Sequence, residues 1–145
     1  MKAEQIYEIL ATAGIQPEAI RLRDNAYVLF DRTWLEKIFE PAFRKFLENL
    51  DAQTYVAESN DCDDFADCAA WYARRLHAQF NKSGTAAAAF GTFSYVIEKD
   101  GGGHCINFAI IAGSAGAELE FLEPQTGLRV DLTPGEIASC SEARI

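Results

Sequence analysis

Few residues in this chain can act as nucleophile or base near neutral pH. Cysteines stand at 62, 68, 105 and 140, and histidines at 77 and 104. Cys62 follows Ser59-Asn60-Asp61 and opens the stretch CDDFADCAAWYARRLHAQF, residues 62–80, the clearest helix-forming pattern in the sequence. A thiol in the first turn of a helix faces unpaired backbone N–H groups and the positive end of the helix dipole. Both favour thiolate, and a cationic neighbour can bring a thiol from about 8.5 down to roughly 3.5–7.5. The chemistry this suggests is nucleophilic attack by sulfur on an electrophilic carbon.

The base follows by reach. His77 lies on the same predicted helix fifteen positions after Cys62, about 22 Å away at 1.5 Å per residue, too far to touch it. His104 follows Gly101-Gly102-Gly103 and opens a strand-like run, where glycines let the imidazole stand open and a ligand backbone come near. A third group that holds the imidazole would come from an antiparallel neighbour. If residues 113–117 form a hairpin, Glu123 falls beside His104, with Gln125 two positions on as the supporting alternative.

Around this trio the chain predicts helices first and strands later. Residues 3–13 place Ile6, Ile9, Leu10 and Ala13 at helical spacing before Gly14, and residues 20–30 suit strands or a hairpin about Asp24-Asn25. Residues 31–50 carry a broad apolar helical stripe that Pro41 should kink or split. Residues 86–98, 104–112 and 119–123 are strand-like runs that read as consecutive antiparallel strands, followed by 128–132 and a turn or short helix after Pro134. With 145 residues, the expectation is one α+β domain: a helical N-terminal part over 1–50 and a core over 55–132, whose central helix starts at Cys62 and packs on an antiparallel sheet.

Three patches in order bring a family into view: Asn60-Asp61-Cys62-Asp63-Asp64-Phe65-Ala66, Gly102-Gly103-His104-Cys105-Ile106-Asn107 and Glu123-Pro124-Gln125-Thr126-Gly127. Over residues 55–130 the chain resembles the papain-like, transglutaminase-like cysteine peptidases, and within them the C-terminal protease domain of the Marasmius oreades agglutinin and its small bacterial and phage relatives. The resemblance implies a Cys62-His104-Glu123 triad, hydrolysis of peptide or isopeptide bonds in a protein or peptide substrate, and a calcium requirement. The oxyanion donors would be the Cys62 backbone and one of Asn60, Gln53 or Tyr55. A catalytically silent phage or bacterial interaction module is the alternative, as is a cell-wall peptidoglycan endopeptidase or amidase.

The acids beside Cys62 suit a cation. Asp61, Asp63 and Asp64 stabilise a helix N-terminus, yet each opposes thiolate formation, and calcium, which takes six to eight oxygen ligands, would offset them. Zinc is disfavoured, because no C-x₂-C pair occurs and Cys68 lies on roughly the opposite helix face from Cys62. A net charge of −9 and a pI near 4.6 argue against nucleic acid. The N-terminal stretch lacks a signal-peptide pattern, and no apolar run reaches transmembrane length. The expected setting is cytoplasmic or phage-associated, with reduced cysteines.

Overall fold

The computed structural model describes residues 1–54, 56, 61–80, 84–114 and 116–145. Helix α1 (Ala3–Thr12) buries Ile6 and Leu10 and ends at Gly14, whose φ of 104° is open to a residue without Cβ. A 3₁₀ turn (Pro17–Ala19) leads to β1 (Ile20–Arg21) and then β2 (Tyr27–Val28). Of the two arrangements expected, these are separate strands and not a hairpin: β1 pairs with the C-terminal strand β8 (Glu142–Arg144), and β2 with β3 (Ala87–Ala88), both in parallel. The backbone N–H groups of Arg23 and Asp24 donate to the Tyr27 hydroxyl, so the connecting loop is held by a side chain rather than a strand ladder.

Pro41 does not split the helical run. The chain runs through α2 (Arg32–Trp34), a π-helical segment (Leu35–Phe39) and α3 (Glu40–Asn49) without a break. Proline offers no N–H to the carbonyl four residues back, and a π turn before it lets Glu40 bond to Leu35 instead. The apolar stripe of this helical run buries Leu35, Phe39, Phe43 and Leu47 against α4 (Cys62–Phe80) and the sheet. Arg32 pairs with Glu118 and with the nearly inaccessible carboxylate of Glu120, which Arg129 also holds at 3.2 Å.

The main sheet has six strands in the order β1-β8-β4-β5-β6-β7, where β4 is Phe90–Val96, β5 Gly103–Gly113, β6 Gly116–Glu123 and β7 Leu128–Val130. The run β4 to β7 is antiparallel, as expected from its turn signals. The sheet as a whole is mixed. After α5 (Pro134–Ala138), capped reciprocally by Thr133 and Glu136, the chain returns to lay β8 between β4 and β1. The expected wholly antiparallel sheet is therefore corrected: the N-terminal β1 runs parallel to β8, and strands of two or three residues carry no periodicity by which to foresee it.

The sheet divides two apolar layers. On one face α1, Ile15 and Tyr27 cover Phe93, Ile106, Phe108, Ile110 and Phe121. On the other, Phe65, Ala69, Ala70 and Ala73 of α4 lie on Phe90, Ala109 and Ile111. Asn107 reaches across this second layer, donating from Nδ2 to the carbonyls of Ala66 at 2.8 Å and Gly91 at 3.0 Å.

Candidate functional site

The geometry of the site is set by strand register. In β5, Cys105, Asn107, Ala109 and Ile111 face α4, and the alternate residues Ile106, Phe108 and Ile110 face the α1 layer. His104 shares the parity of the second set. It pairs with Tyr95 across β4 and β5, and the two rings meet edge to face at 5.8 Å. Leu122 lies opposite Asn107 on β6, which brings Glu123 diagonally beside the start of β5.

His104 and Glu123 meet there: Nε2 and Oε2 are 2.8 Å apart, with about a fifth of each side chain exposed. The other carboxylate oxygen accepts the backbone N–H of Gln125 at 3.1 Å, so Glu123 is fixed from both sides. With Nε2 engaged, Nδ1 is the nitrogen left for a thiol. The structure uses the backbone of Gln125 at this point, and its exposed side chain lines a shallow cavity with Gln53, Arg44 and Glu48.

Cys62 opens α4, half-buried, with its thiol free, as are those of Cys68, Cys105 and Cys140. No hydrogen bond joins it to His104 among the described residues. Burial pushes the Tyr95 phenol up to about 12, with Glu136, Glu123 and Cys62 adding to the shift. Burial likewise raises the Cys105 thiol to about 11 against the bond from the Ser94 hydroxyl, and Cys62 again contributes. Tyr95 thus feels both Cys62 and Glu123. The sequence reading passed over it, although counting back from the turn at 97–102 places it opposite His104.

The acids at the helix start do not gather into a cage. Asp63 is raised chiefly by a hydrogen bond with Asp61, with Asp64 adding repulsion, which is how neighbouring carboxylates behave when they share a proton. Asp64 accepts the backbone N–H of Asp61 at 3.4 Å. Asp67, one turn on, is taken by Arg144. Among the described residues no group of three or more His, Cys, Asp or Glu side chains is arranged to hold a metal ion. Asn60 and Tyr55, the other oxyanion candidates, lie outside the described residues.

Comparison with known proteins gives a fold and no family. No family model matches the chain, and no curated protein matches it. Among the solved structures that match, two do so over all of its length. One, titled "PSL1a-E64 complex", superposes with a TM-score of 0.77 at 17% identity, and the chain covers 50% of it. The other is the Polyporus squamosus lectin bound to the human-type influenza-binding epitope Neu5Aca2-6Galb1-4GlcNAc, with the same TM-score and identity and 49% covered. The chain spans about half the length of these structures.

These matches correct the sequence reading. The fold is shared with two structures of which one is titled a lectin, and neither title names a peptidase. The papain-like, transglutaminase-like fold, the likeness to the agglutinin's protease domain, and the cysteine peptidase, thiol protease and hydrolase assignments are accordingly not retained. Three short patches in order constrain local spacing, and local spacing does not fix topology or activity. No helix among the described residues is long and apolar enough to cross a membrane.

Proposed function

We propose that Cys62, His104 and Glu123 form a ligand-binding site with a reactive thiol, one that takes up small electrophiles covalently. The observation that carries this reading is the 2.8 Å contact between His104 and Glu123, since a carboxylate on Nε2 orients the ring and leaves Nδ1 to take a proton. One structural neighbour is titled as a complex with E64, and a strained epoxide ring is a suitable test electrophile for a thiolate. In the proposed step His104 takes the Cys62 proton and the sulfur attacks an epoxide carbon. The S–C bond forms as the C–O bond breaks, and the freed oxygen takes the proton back from His104.

Intact mass spectrometry after incubation with E64 tests this. A single adduct mapped to Cys62, absent in Cys62→Ser and slowed at least about tenfold in His104→Asn, is the expected result. An adduct spread equally over Cys68 and Cys62, or none, would refute it.

Carbohydrate replaces peptide as the proposed partner class, because the second neighbour's ligand is a sialylated trisaccharide. Calcium is proposed on charge alone, to neutralise Asp61, Asp63 and Asp64. Added calcium should then speed alkylation of Cys62, and an unchanged rate would remove it from the account.

A further inference from the structure

Beside the middle of α4 three arginines gather in a chain whose net charge is −9. Arg23 from the loop after β1, Arg74 from α4 and Arg144 from β8 line one open cavity of about 320 Å³, together with Asp67, Ala70 and Trp71. Like charges are held together here at a cost. Arg74 is held below the usual arginine range, first by burial and then by the charges of Arg23 and Arg144. The acids nearby offset them only in part: Asp67 is paired with Arg144, which also lies 3.9 Å from Glu142, and Asp24 acts on Arg74 from a distance. Neither Arg23 nor Arg74 makes an ion pair among the described residues. Arg74 spends one long bond, 3.5 Å, on the Phe90 carbonyl.

Beside these cations Trp71 stands 53% exposed, with one tilted ring contact to Phe46 at 6.1 Å between ring centroids, whereas its neighbour Tyr72 is packed among phenylalanines. A guanidinium presents two parallel N–H groups that match a carboxylate, and an indole offers a flat apolar face for the C–H face of a sugar ring. A phosphate would satisfy the arginines but leave the indole uncovered.

We propose that the cavity between α4 and β8 binds an acidic sugar, its carboxylate on Arg74 and Arg23 and its ring on Trp71. This site stands apart from the Cys62 reading and does not depend on it.

Isothermal titration calorimetry with sodium glucuronate, glucose and inorganic phosphate tests the assignment. Glucuronate should bind, glucose should give no measurable heat, and phosphate should bind at least about tenfold more weakly. Trp71→Ala and Arg23→Gln change exposed side chains, so both should keep the melting temperature of the parent while weakening glucuronate at least about fivefold. Arg74→Gln should abolish binding. Failure of glucuronate to bind, phosphate binding as tightly, or full affinity in both Trp71→Ala and Arg23→Gln would overturn the proposal.

Discussion

His104 stands where two constraints meet: strand register places it against Tyr95, and the hairpin from β5 to β6 brings Glu123 to its Nε2. Replacing Glu123 by Gln keeps the shape but puts a neutral acceptor in place of the carboxylate that orients the ring. Alkylation of Cys62 by iodoacetamide should slow about tenfold, with the melting temperature little changed because both partners are partly exposed. An equal rate in Glu123→Gln would show that the pair is structural only. His77 supplies a contrasting case, since burial against Phe30 lowers its pKa below the usual histidine value. The folded state then binds this proton less readily than the unfolded chain, so stability is full above the ordinary histidine pKa and falls as pH drops through that value toward the folded one. Urea unfolding at pH 7.5 and 5 should show this loss, and His77→Gln should reduce the difference between the two.

Among the elements, α4 and the meander β4 to β6 were legible, because long amphipathic or alternating runs between glycine-rich turns admit few readings. The parallel pairs β1 with β8 and β2 with β3 were not, since two-residue strands are chosen by tertiary contact. Two residues that join the elements were hidden for the same reason: Glu120 and Asn107 look like ordinary polar positions until burial shows them locked. Asn107→Ala removes two bonds between α4 and the sheet and leaves a void, and should cost about 2–4 kcal/mol in urea unfolding. Gly91→Ala should be at least as damaging. Its Cβ would collide with the Arg144 carbonyl oxygen and lie 2.8 Å from the Phe108 ring, in the middle of a paired strand. Melting temperatures near that of the parent for both variants would contradict this picture of the β4–β5–β8 junction.

For the molecule as a whole, the resemblance that organised the sequence reading spanned residues 55–130, yet both layers and the sheet draw on residues beyond it. Ile6, Leu10 and Ile15 are fully buried on the α1 face, and β8 holds an interior place in the sheet. Burial of those three side chains contributes on the order of 5–9 kcal/mol, comparable with the whole stability of a domain of this size. A fragment lacking residues 1–19 should therefore fail to give a cooperative melt by circular dichroism. The arginine cavity draws on β8 and the loop after β1 in the same way, so nothing local in the sequence announces it.

The account turns on Cys62 being set apart chemically from the other thiols. Burial raises Cys68, with Asp64 adding to it, and takes Cys105 and Cys140 to about 11 and about 12. The most direct measurement is the rate of iodoacetamide modification at each cysteine at pH 6, read by peptide mass spectrometry. The thiol site predicts that Cys62 reacts at least about tenfold faster than Cys68, and that the advantage shrinks in His104→Asn. Equal rates at Cys62 and Cys68, in a protein whose His104–Glu123 contact is intact, would contradict it.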